Sequence, residues 1–169
     1  MQGVDQETFR RCVGCFSTGV TVVTTHQGEK HYGVTINSFA SLSLEPPLIL
    51  FSLDNASRHM PVFSAAQTLI VNVLSEEQFS LSEHFASHND AGWKNIAYRD
   101  GTLISACRVL ENAAAHLECH VETRHEGGDH TLFICRVLQA HSDEARSPLL
   151  YYRGRYCTLG ALHPNETRK

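Results

Sequence analysis

Long apolar segments and basic clusters are both missing from this sequence. The N-terminal stretch MQGVDQETFRR lacks the apolar core of a signal peptide, and no apolar run approaches the ~20 residues of a membrane span. The 169 residues include 14 lysines and arginines against 18 acidic residues, and no basic cluster could follow a phosphate backbone. We therefore expect a cytoplasmic protein that binds neither membranes nor nucleic acid.

Several common catalytic and nucleotide-binding motifs are also missing. No G-x-G-x-x-G follows a predicted strand, so no Rossmann nucleotide site is predicted. The sequence contains neither a P-loop nor a G-x-S-x-G nucleophile elbow.

Metal-binding motifs are weak in spite of 11 histidines. His84 and His88 are four residues apart, and His116 and His120 share a strand face with Glu118. Neither pair has a convincing third ligand nearby, and there is no H-E-x-x-H. We predict no metal site, and we expect the imidazoles of both pairs to face solvent.

Six cysteines could form a disulfide framework, but without an export signal we expect reduced and mostly buried thiols. Cys12 and Cys15 form a C-x-x-C. A redox motif of this kind opens a helix that follows a strand, whereas this one lies inside an N-terminal amphipathic segment. A redox role is therefore disfavoured.

The hydrophobic content of 42% is enough for a single domain, 1–169, with a substantial core. Its ordered part should span about 5–160, with 161–169 as a flexible tail. Asp5 is placed to cap a first helix, whose stripe is formed by Phe9, Val13 and Phe16. Further helices are predicted at 57–66 and 76–86, the last capped by Ser75.

Strands outnumber helices in the remaining sequence. Residues 87–108 are predicted as loop with some helical turn. Strands are predicted at 20–25, 31–36, 48–53, 69–74, 116–123, 131–140, 149–152 and 156–159. Many short strands separated by tight turns favour an antiparallel barrel or sandwich over a doubly wound sheet.

The segment GVTINSFASLSLEPPLILFSL, residues 33–53, places many short polar side chains between two apolar strands. Thr35, Asn37, Ser38 and Ser41 suit a ligand with carbonyl and ring-nitrogen edges but little charge, and strand 48–53 could support a flat ring. The alternative is a loop whose side chains bond their own backbone. Taken alone, this segment favours the alternative.

Two further stretches could contact a ligand. In DNASRHMP, residues 54–61, Ser57 precedes a predicted helix and Arg58 adds charge, which suits one phosphate; an ordinary helix cap is the alternative. In EGGDH, residues 126–130, His130 lies where a hairpin turn enters a long strand, which directs its ring to the end of the barrel. His130 could instead cap the turn or bond Asp129.

In their order along the chain these segments resemble the short-chain flavin reductase family, the reductase partners of two-component flavin monooxygenases. The resemblance runs from about residue 9 to 159. It is carried by FSTGVTVVTT (16–25), the 33–53 segment, the Ser57 position, VNVLSEEQ (71–78), LSEHFA (81–86), LECHVE (117–122), GGDHTLFICRV (127–137) and PLLYYRGRY (148–156).

The resemblance implies a mainly β protein with few helices, an FMN-binding split β-barrel of antiparallel Greek-key type. It implies a homodimer with flavin near the subunit interface. It also assigns the site residues: Thr35, Asn37, Ser38 and Ser41 to the ring and ribityl chain, Ser52 and Leu53 to the isoalloxazine, Ser57 and Arg58 to the phosphate, Phe85 and Tyr152 to the pocket wall, and His130 to the nicotinamide.

The activity implied is hydride transfer from NADH or NADPH to FMN or FAD, with reduced flavin passing to an oxygenase or reducing ferric iron. Two alternatives are a flavin-holding electron carrier without NAD(P)H turnover and a histidine-rich metal-binding barrel. The chain departs from the family where Asp100-Gly101-Thr102-Leu103 replaces a Gly-x-Pro and where Cys135 replaces a common glycine. These departures affect loop shape, because neither touches a proposed ligand contact.

Overall fold

The computed structural model describes residues 3–87 and 92–161. The helices are α1 (Gln6–Val13), α2 (Met60–Ala65) and α3 (Phe79–Ala86), and a 3-10 turn (Glu76–Gln78) leads into α3. The strands are β1 (Thr18–Gly19), β2 (Thr21–Gln27), β3 (Lys30–Ile36), β4 (Ala40–Leu44), β5 (Pro47–Asp54), β6 (Thr68–Val73), β7 (Tyr98–Asp100), β8 (Arg108–Leu110), β9 (Ala115–Gly127), β10 (His130–Ser142), β11 (Leu150–Tyr152) and β12 (Arg155–Cys157).

Seven strands form the main sheet in the order β3-β2-β6-β9-β10-β5-β4, and every neighbouring pair is antiparallel. The chain is therefore mainly β with few helices, as predicted, and it has the split β-barrel fold. Although β3 and β5 are not hydrogen-bonded neighbours, residues of both line one cavity. The curvature of the sheet thus brings two distant strands together.

The core explains why the apolar strands form as predicted. Along β5, Ile49, Phe51 and Leu53 are buried while the residues between them are less so, which is the period-2 pattern of a strand. Phe51 and Phe133 are fully buried and stack with ring centroids 4.8 Å apart. This packing fixes the register of β5 against β10, and with it the position of Ser52, whose side chain points away from the core.

The N-terminal helix begins as predicted and leaves its apolar stripe exposed. The backbone N–H of Thr8 donates to the Asp5 carboxylate at 2.9 Å, so Asp5 is the N-cap. However, Phe9, Val13 and Phe16 are 54%, 51% and 78% exposed. The apolar stripe of the N-terminal segment therefore lies on the surface of this chain.

Two predicted loops contain strands. Residues 40–44 form β4, which pairs with β5 although four of its five side chains, including Leu42 and Leu44, are exposed. Within the described part of 87–108 lies β7, which forms a hairpin with β8 at the end of that segment. Both strands are held by backbone pairing to a neighbour, which residue periodicity does not reveal.

The cysteines and histidines only partly match expectation. All six cysteines are free thiols, with Cys107, Cys119 and Cys135 buried. Burial raises the pKa of Cys107 to about 11. The prediction of mostly buried thiols holds for only half of them, because Cys12 and Cys15 are exposed.

The prediction that the paired imidazoles face solvent was wrong for His116. It is only 4% exposed, and its Nε2 lies 3.2 Å from Nη2 of Arg99. Burial and the nearby Arg99 guanidinium lower the pKa of His116. His120, by contrast, is exposed as predicted, and His88 lies outside the described residues.

Two features are absent from residues 3–87 and 92–161. No cluster of three or more His, Cys, Asp or Glu side chains there could hold a metal ion. No helix in those ranges is long and apolar enough to cross a bilayer.

Candidate functional site

A cavity of about 360 Å³ opens where β3, β5, the start of β10 and the end of α3 meet. Of the residues predicted to bind flavin or nicotinamide, all except Ser41 and Tyr152 line it. The full lining is Val34, Thr35, Ile36, Asn37, Ser38, Ser52, Leu53, Asp54, Ala56, Ser57, Arg58, His59, Phe85, Ala86, Ser87 and His130.

The hydroxyl-rich wall of the cavity is fixed by its own hydrogen bonds. Ser38 Oγ donates to the Ser52 carbonyl at 2.8 Å and accepts from the Ser52 N–H at 3.0 Å. Thr35 Oγ1 donates to the Ser82 carbonyl at 2.8 Å. Ser38 and Thr35 thus bond backbone, as the alternative interpretation expected, and they still face the cavity. Their bonds hold the loop rigid, so that Asn37, which is exposed at the cavity, is presented in a defined position.

Apolar residues form another wall. Val34, Ile36 and Leu53 are buried, and Phe85 is 8% exposed. The Phe85 ring lies directly on Gly33 of β3, at a distance that leaves no space for a side chain there. A flat apolar surface suits an aromatic ring system. Sequence inspection missed Gly33, whose role depends on a residue 52 positions later.

The segment expected to bind phosphate is a turn, not a helix N-terminus. The α2 helix begins at Met60, and its N-cap, His59, makes no side-chain cap bond. Ser57 lies in the preceding turn, where its Oγ accepts from the His59 N–H at 3.3 Å. The predicted start of the helix was therefore wrong. Ser57 and Arg58 nevertheless both line the cavity.

This turn is tied to the hairpin that carries His130. The Asn55 N–H donates to the Asp129 carbonyl at 2.9 Å, and Thr131 Oγ1 donates to Asn55 Oδ1 at 2.7 Å. His130 is also paired with Asp54 across the β10–β5 ladder. The turn around Ser57 and the ring of His130 are therefore held in a fixed relation to each other.

His130 contacts Asp129, as one of the two interpretations expected, and it also lines the cavity. Its Nδ1 lies 2.7 Å from Asp129 Oδ1, and its ring lines the cavity. The hydrogen bond with His130 lowers the pKa of the exposed Asp129 carboxyl. Because Nδ1 is used by this contact, Nε2 is the ring nitrogen available to a ligand.

Two predicted residues lie elsewhere in this chain. Ser41 is exposed on β4, opposite Ile49 of β5. Tyr152 is 40% exposed, with the Arg153 guanidinium 5.2 Å from its ring centroid. Its neighbour Tyr151 lines a smaller cavity of about 190 Å³ together with Thr35 and Asn37. The roles of Ser41 and Tyr152 stay predictions.

An aromatic cluster supports Phe85 from behind, and sequence inspection missed it. Trp93 lies 5.2 Å from the Phe85 ring and 5.5 Å from the Tyr98 ring, and its Nε1 donates to the His31 carbonyl at 2.9 Å. Arg108 lies 4.2 Å above Tyr98 and contacts His31 Nε2 at 2.9 Å. The β7–β8 hairpin therefore braces the cavity wall. In the sequence, the single tryptophan in a mostly polar segment was the indication that an aromatic cluster forms here.

A buried carboxylate anchors the same hairpin. Glu118 is fully buried and accepts three backbone N–H bonds, from Thr102, Leu103 and Ile104, at 2.7, 2.8 and 2.7 Å. Burial acts to raise the pKa of Glu118, but the three bonds outweigh it and the pKa is lowered. The 101–104 loop, which departs from the family pattern, is thus shaped by Glu118 and does not line the cavity.

Comparison with known proteins gives a consistent result. The family model described as the flavin reductase like domain matches residues 13–160. The chain is 42% identical over 154 residues to "NADH-dependent FMN reductase AsuE2" of Streptomyces nodosus subsp. asukaensis, which covers 89% of this chain and 83% of that protein.

Solved structures share the fold over almost the whole chain. Nitrilotriacetate monooxygenase component B from Mycobacterium thermoresistibile superposes with a TM-score of 0.90 at 36% identity, covering 97% of this chain and 93% of that one. The NADH:FAD oxidoreductase SgcE6 of Streptomyces globisporus, in complex with NAD and FAD fragments, gives 0.86 at 34% identity, covering 99% and 100%.

Proposed function

Because the chain belongs to the flavin reductase like domain family, we propose that it is an NADH-dependent reductase of FMN or FAD. The observation that carries the proposal is the meeting of Ser57, Arg58, Phe85 and His130 around one cavity. These residues come from separate segments of the chain, and the family resemblance assigns each of them to flavin or nicotinamide.

The protein's contribution is binding and orientation. When bound, the flavin supplies the hydride acceptor, and NADH supplies the hydride. Leu53 and Phe85 provide an apolar surface for the isoalloxazine, and the rigid loop around Ser38 and Asn37 offers hydrogen bonds to its polar edge. Arg58 and Ser57 hold the phosphate, since a guanidinium and a hydroxyl both donate to its oxygens.

His130 orients the nicotinamide over the flavin. Its Nδ1 is held by Asp129, so the ring cannot swing freely and Nε2 can meet the carboxamide. Fixing two reactants in a reactive orientation accelerates their reaction without any acid or base. None of the described cavity residues is required to abstract a proton in this scheme.

The partner of the proposed enzyme is an oxygenase that receives reduced flavin. Relatives named as monooxygenase reductase components support this part of the proposal. A cytoplasmic location belongs to it as well, since six free thiols suit a reducing compartment. Ferric iron is the alternative acceptor of electrons from reduced flavin.

The proposed assembly is a homodimer of single-domain subunits. Phe9, Val13 and Phe16 project from the N-terminal segment as an exposed apolar stripe, and such a stripe marks an interaction surface. Sedimentation of the purified protein at micromolar concentration should give a dimer, and Phe16→Asp should shift it toward monomer. An active, flavin-loaded wild-type monomer would contradict the dimer.

One experiment tests the function against its alternatives. Purified protein is mixed with FMN or FAD and with NADH or NADPH, and nicotinamide oxidation is followed in each of the four combinations. A flavin reductase oxidises NADH in a flavin-dependent manner. Tight flavin binding without oxidation would indicate an electron carrier, and bound metal without flavin would indicate a metal protein.

A further inference from the structure

The turn that lines the flavin cavity and the α2 helix form one hydrogen-bonded unit. The Met60 N–H donates to the Ser57 carbonyl at 2.9 Å. The N–H groups of Val62 and Phe63 both donate to the His59 carbonyl at 3.0 Å. Because α2 has only six residues, which span about 9 Å, a displacement at its C-terminal end is carried directly to this turn.

Arg124 of β9 holds the C-terminal end of α2. Its Nη2 donates to the carbonyls of Phe63 and Ala66, the first at 3.4 Å. The last carbonyls of a helix have no partner inside the helix, and a cation beside them is stabilising. Arg124 does not line the flavin cavity. Its contact with α2 is therefore the route by which it can influence a ligand bound there.

A β-bulge turns this arginine toward the core. Across the β9–β10 ladder, Arg124 is opposite Phe133 and Val121 is opposite Cys135. Phe133 and Cys135 are buried, and residues opposite each other in a ladder face the same side. Val121 and Arg124 thus face inward although they are three residues apart, because the register shifts between Ile134 and Cys135. Bulges redirect side chains in this way beside functional sites.

The inward-facing guanidinium is not held by an acidic side chain. Its carbon lies 5.5 Å from the centroid of the Phe133 ring. Within residues 3–87 and 92–161, no carboxylate is at salt-bridge distance from Arg124. The two carbonyls at the end of α2 are therefore the polar contacts that fix its position.

We propose that Arg124 is a positioning residue for the flavin phosphate. It fixes the C-terminal end of α2 and thereby fixes the turn that carries Ser57 and Arg58 at the cavity. The inference rests on the proposed function, which places the phosphate at that turn. It adds that affinity for the phosphate, and not for the ring system, depends on a residue outside the cavity.

The test compares the binding of FMN with that of riboflavin, which has no phosphate, by calorimetry. Arg124→Met should raise the Kd for FMN about five- to tenfold, the effect of about one lost hydrogen bond, and should change the Kd for riboflavin less than about twofold. Arg124→Lys keeps the charge and the N–H donors on a shorter side chain, so it should recover part of the loss. Melting curves check that each variant is folded at the temperature of the titration. A role confined to stability would lower the melting temperature and leave both Kd values unchanged, which would overturn the proposal.

Arg136→Met is the matched control for the loss of one positive charge. Arg136 is an exposed arginine of the adjacent strand β10, and its partner is Glu122. This variant should change neither Kd. A loss of FMN affinity as large as that of Arg124→Met would assign the effect to net charge and would overturn the positioning by Arg124.

Hydrogen exchange of the wild-type protein tests the same coupling without any substitution. Coupling between two positions is reciprocal, so a phosphate bound at the turn should in return stabilise α2. At saturating ligand, FMN should slow exchange of the backbone amides of α2 more than riboflavin does. Equal protection of α2 by the two ligands would contradict the proposal.

Ser57→Ala separates this inference from the proposed function. If Ser57→Ala weakens binding of FMN but not of riboflavin, while Arg124→Met weakens neither or both equally, the phosphate site is supported and only the role of Arg124 is refuted. If Ser57→Ala also fails to distinguish the two ligands, the phosphate site of the proposed function is refuted together with this inference.

Discussion

A Cβ atom on Gly33 would lie 2.5 Å from Cε1 of Phe85, far inside van der Waals contact. The aromatic wall of the candidate flavin cavity therefore reaches its position because β3 has no side chain at residue 33. Since backbone φ at Gly33 is not in the left-handed region, the requirement is for space and not for an unusual conformation.

Gly33→Ala should therefore weaken flavin binding. Overpacking of this kind costs about 1–3 kcal/mol, and displacement of the Phe85 ring should raise the Kd for FMN about tenfold. Quenching of Trp93 fluorescence can follow the titration, because Trp93 is the only tryptophan and lies 5.2 Å from Phe85. The matched control is Gly19→Ala, where an added Cβ meets nothing within 4 Å. Equal Kd values for the two variants would contradict this role of Gly33.

Ser57→Ala should weaken FMN binding by about 1–3 kcal/mol, the size of a lost hydrogen bond to a charged group. Riboflavin, which has no phosphate, should bind the variant and the wild type almost equally. Ser64→Ala on the exposed side of α2 serves as the control, since Ser64 does not line the candidate flavin cavity. A similar loss of affinity for FMN and riboflavin would remove Ser57 from the phosphate site.

Glu118→Gln should destabilise the fold, because it replaces one carboxylate oxygen by an amide NH2 group. This group cannot accept a hydrogen bond from a backbone N–H. The loss should be about 1–3 kcal/mol, measured by urea unfolding at neutral pH. The matched control is Glu122→Gln on the same strand, because the Glu122 carboxylate is in an exposed pair with Arg136. It should cost far less.

The same carboxylate predicts a pH dependence. The pKa of Glu118 is lower in the folded protein than its ordinary value of 4.5, so the folded state binds this proton less readily than the unfolded state. Its stabilising contribution is complete above pH 4.5 and is lost as the pH falls through the lowered folded pKa. The stability difference between wild type and Glu118→Gln should therefore shrink in acid. A constant difference at every pH would contradict the assignment.

The strands with apolar alternation could be predicted from the sequence, and so could most residues of the cavity. The apolar residues from Leu48 to Leu53 indicate a buried strand by themselves, and so does the β-branched run at 20–25. The strand β4 could not be predicted, because its mostly exposed residues show no buried face and are ordered by pairing with β5. Gly33 and Glu118 were missed for a similar reason, since each acts on a segment far away in the chain, Phe85 in one case and the 102–104 loop in the other.

His130→Ala should leave flavin affinity almost unchanged and slow hydride transfer. We expect kcat/KM for NADH to fall about tenfold or more, or about 1.4 kcal/mol of transition-state stabilisation. Asp129→Asn keeps the imidazole but weakens the contact between residue 129 and Nδ1 of His130. This variant should cause a smaller fall in kcat/KM. Hydride transfer at the wild-type rate in His130→Ala, or a loss explained wholly by weaker flavin binding, would remove His130 from the active site.

Anaerobic stopped-flow mixing of FMN-loaded wild-type protein with NADH tests the central claim most directly. The account predicts that flavin absorbance bleaches in a single protein-dependent phase whose rate saturates with NADH, much faster than free FMN reacts with NADH. Protein that binds FMN in this cavity and leaves it oxidised at saturating NADH and NADPH would contradict the account, and would leave a flavin-holding protein in its place.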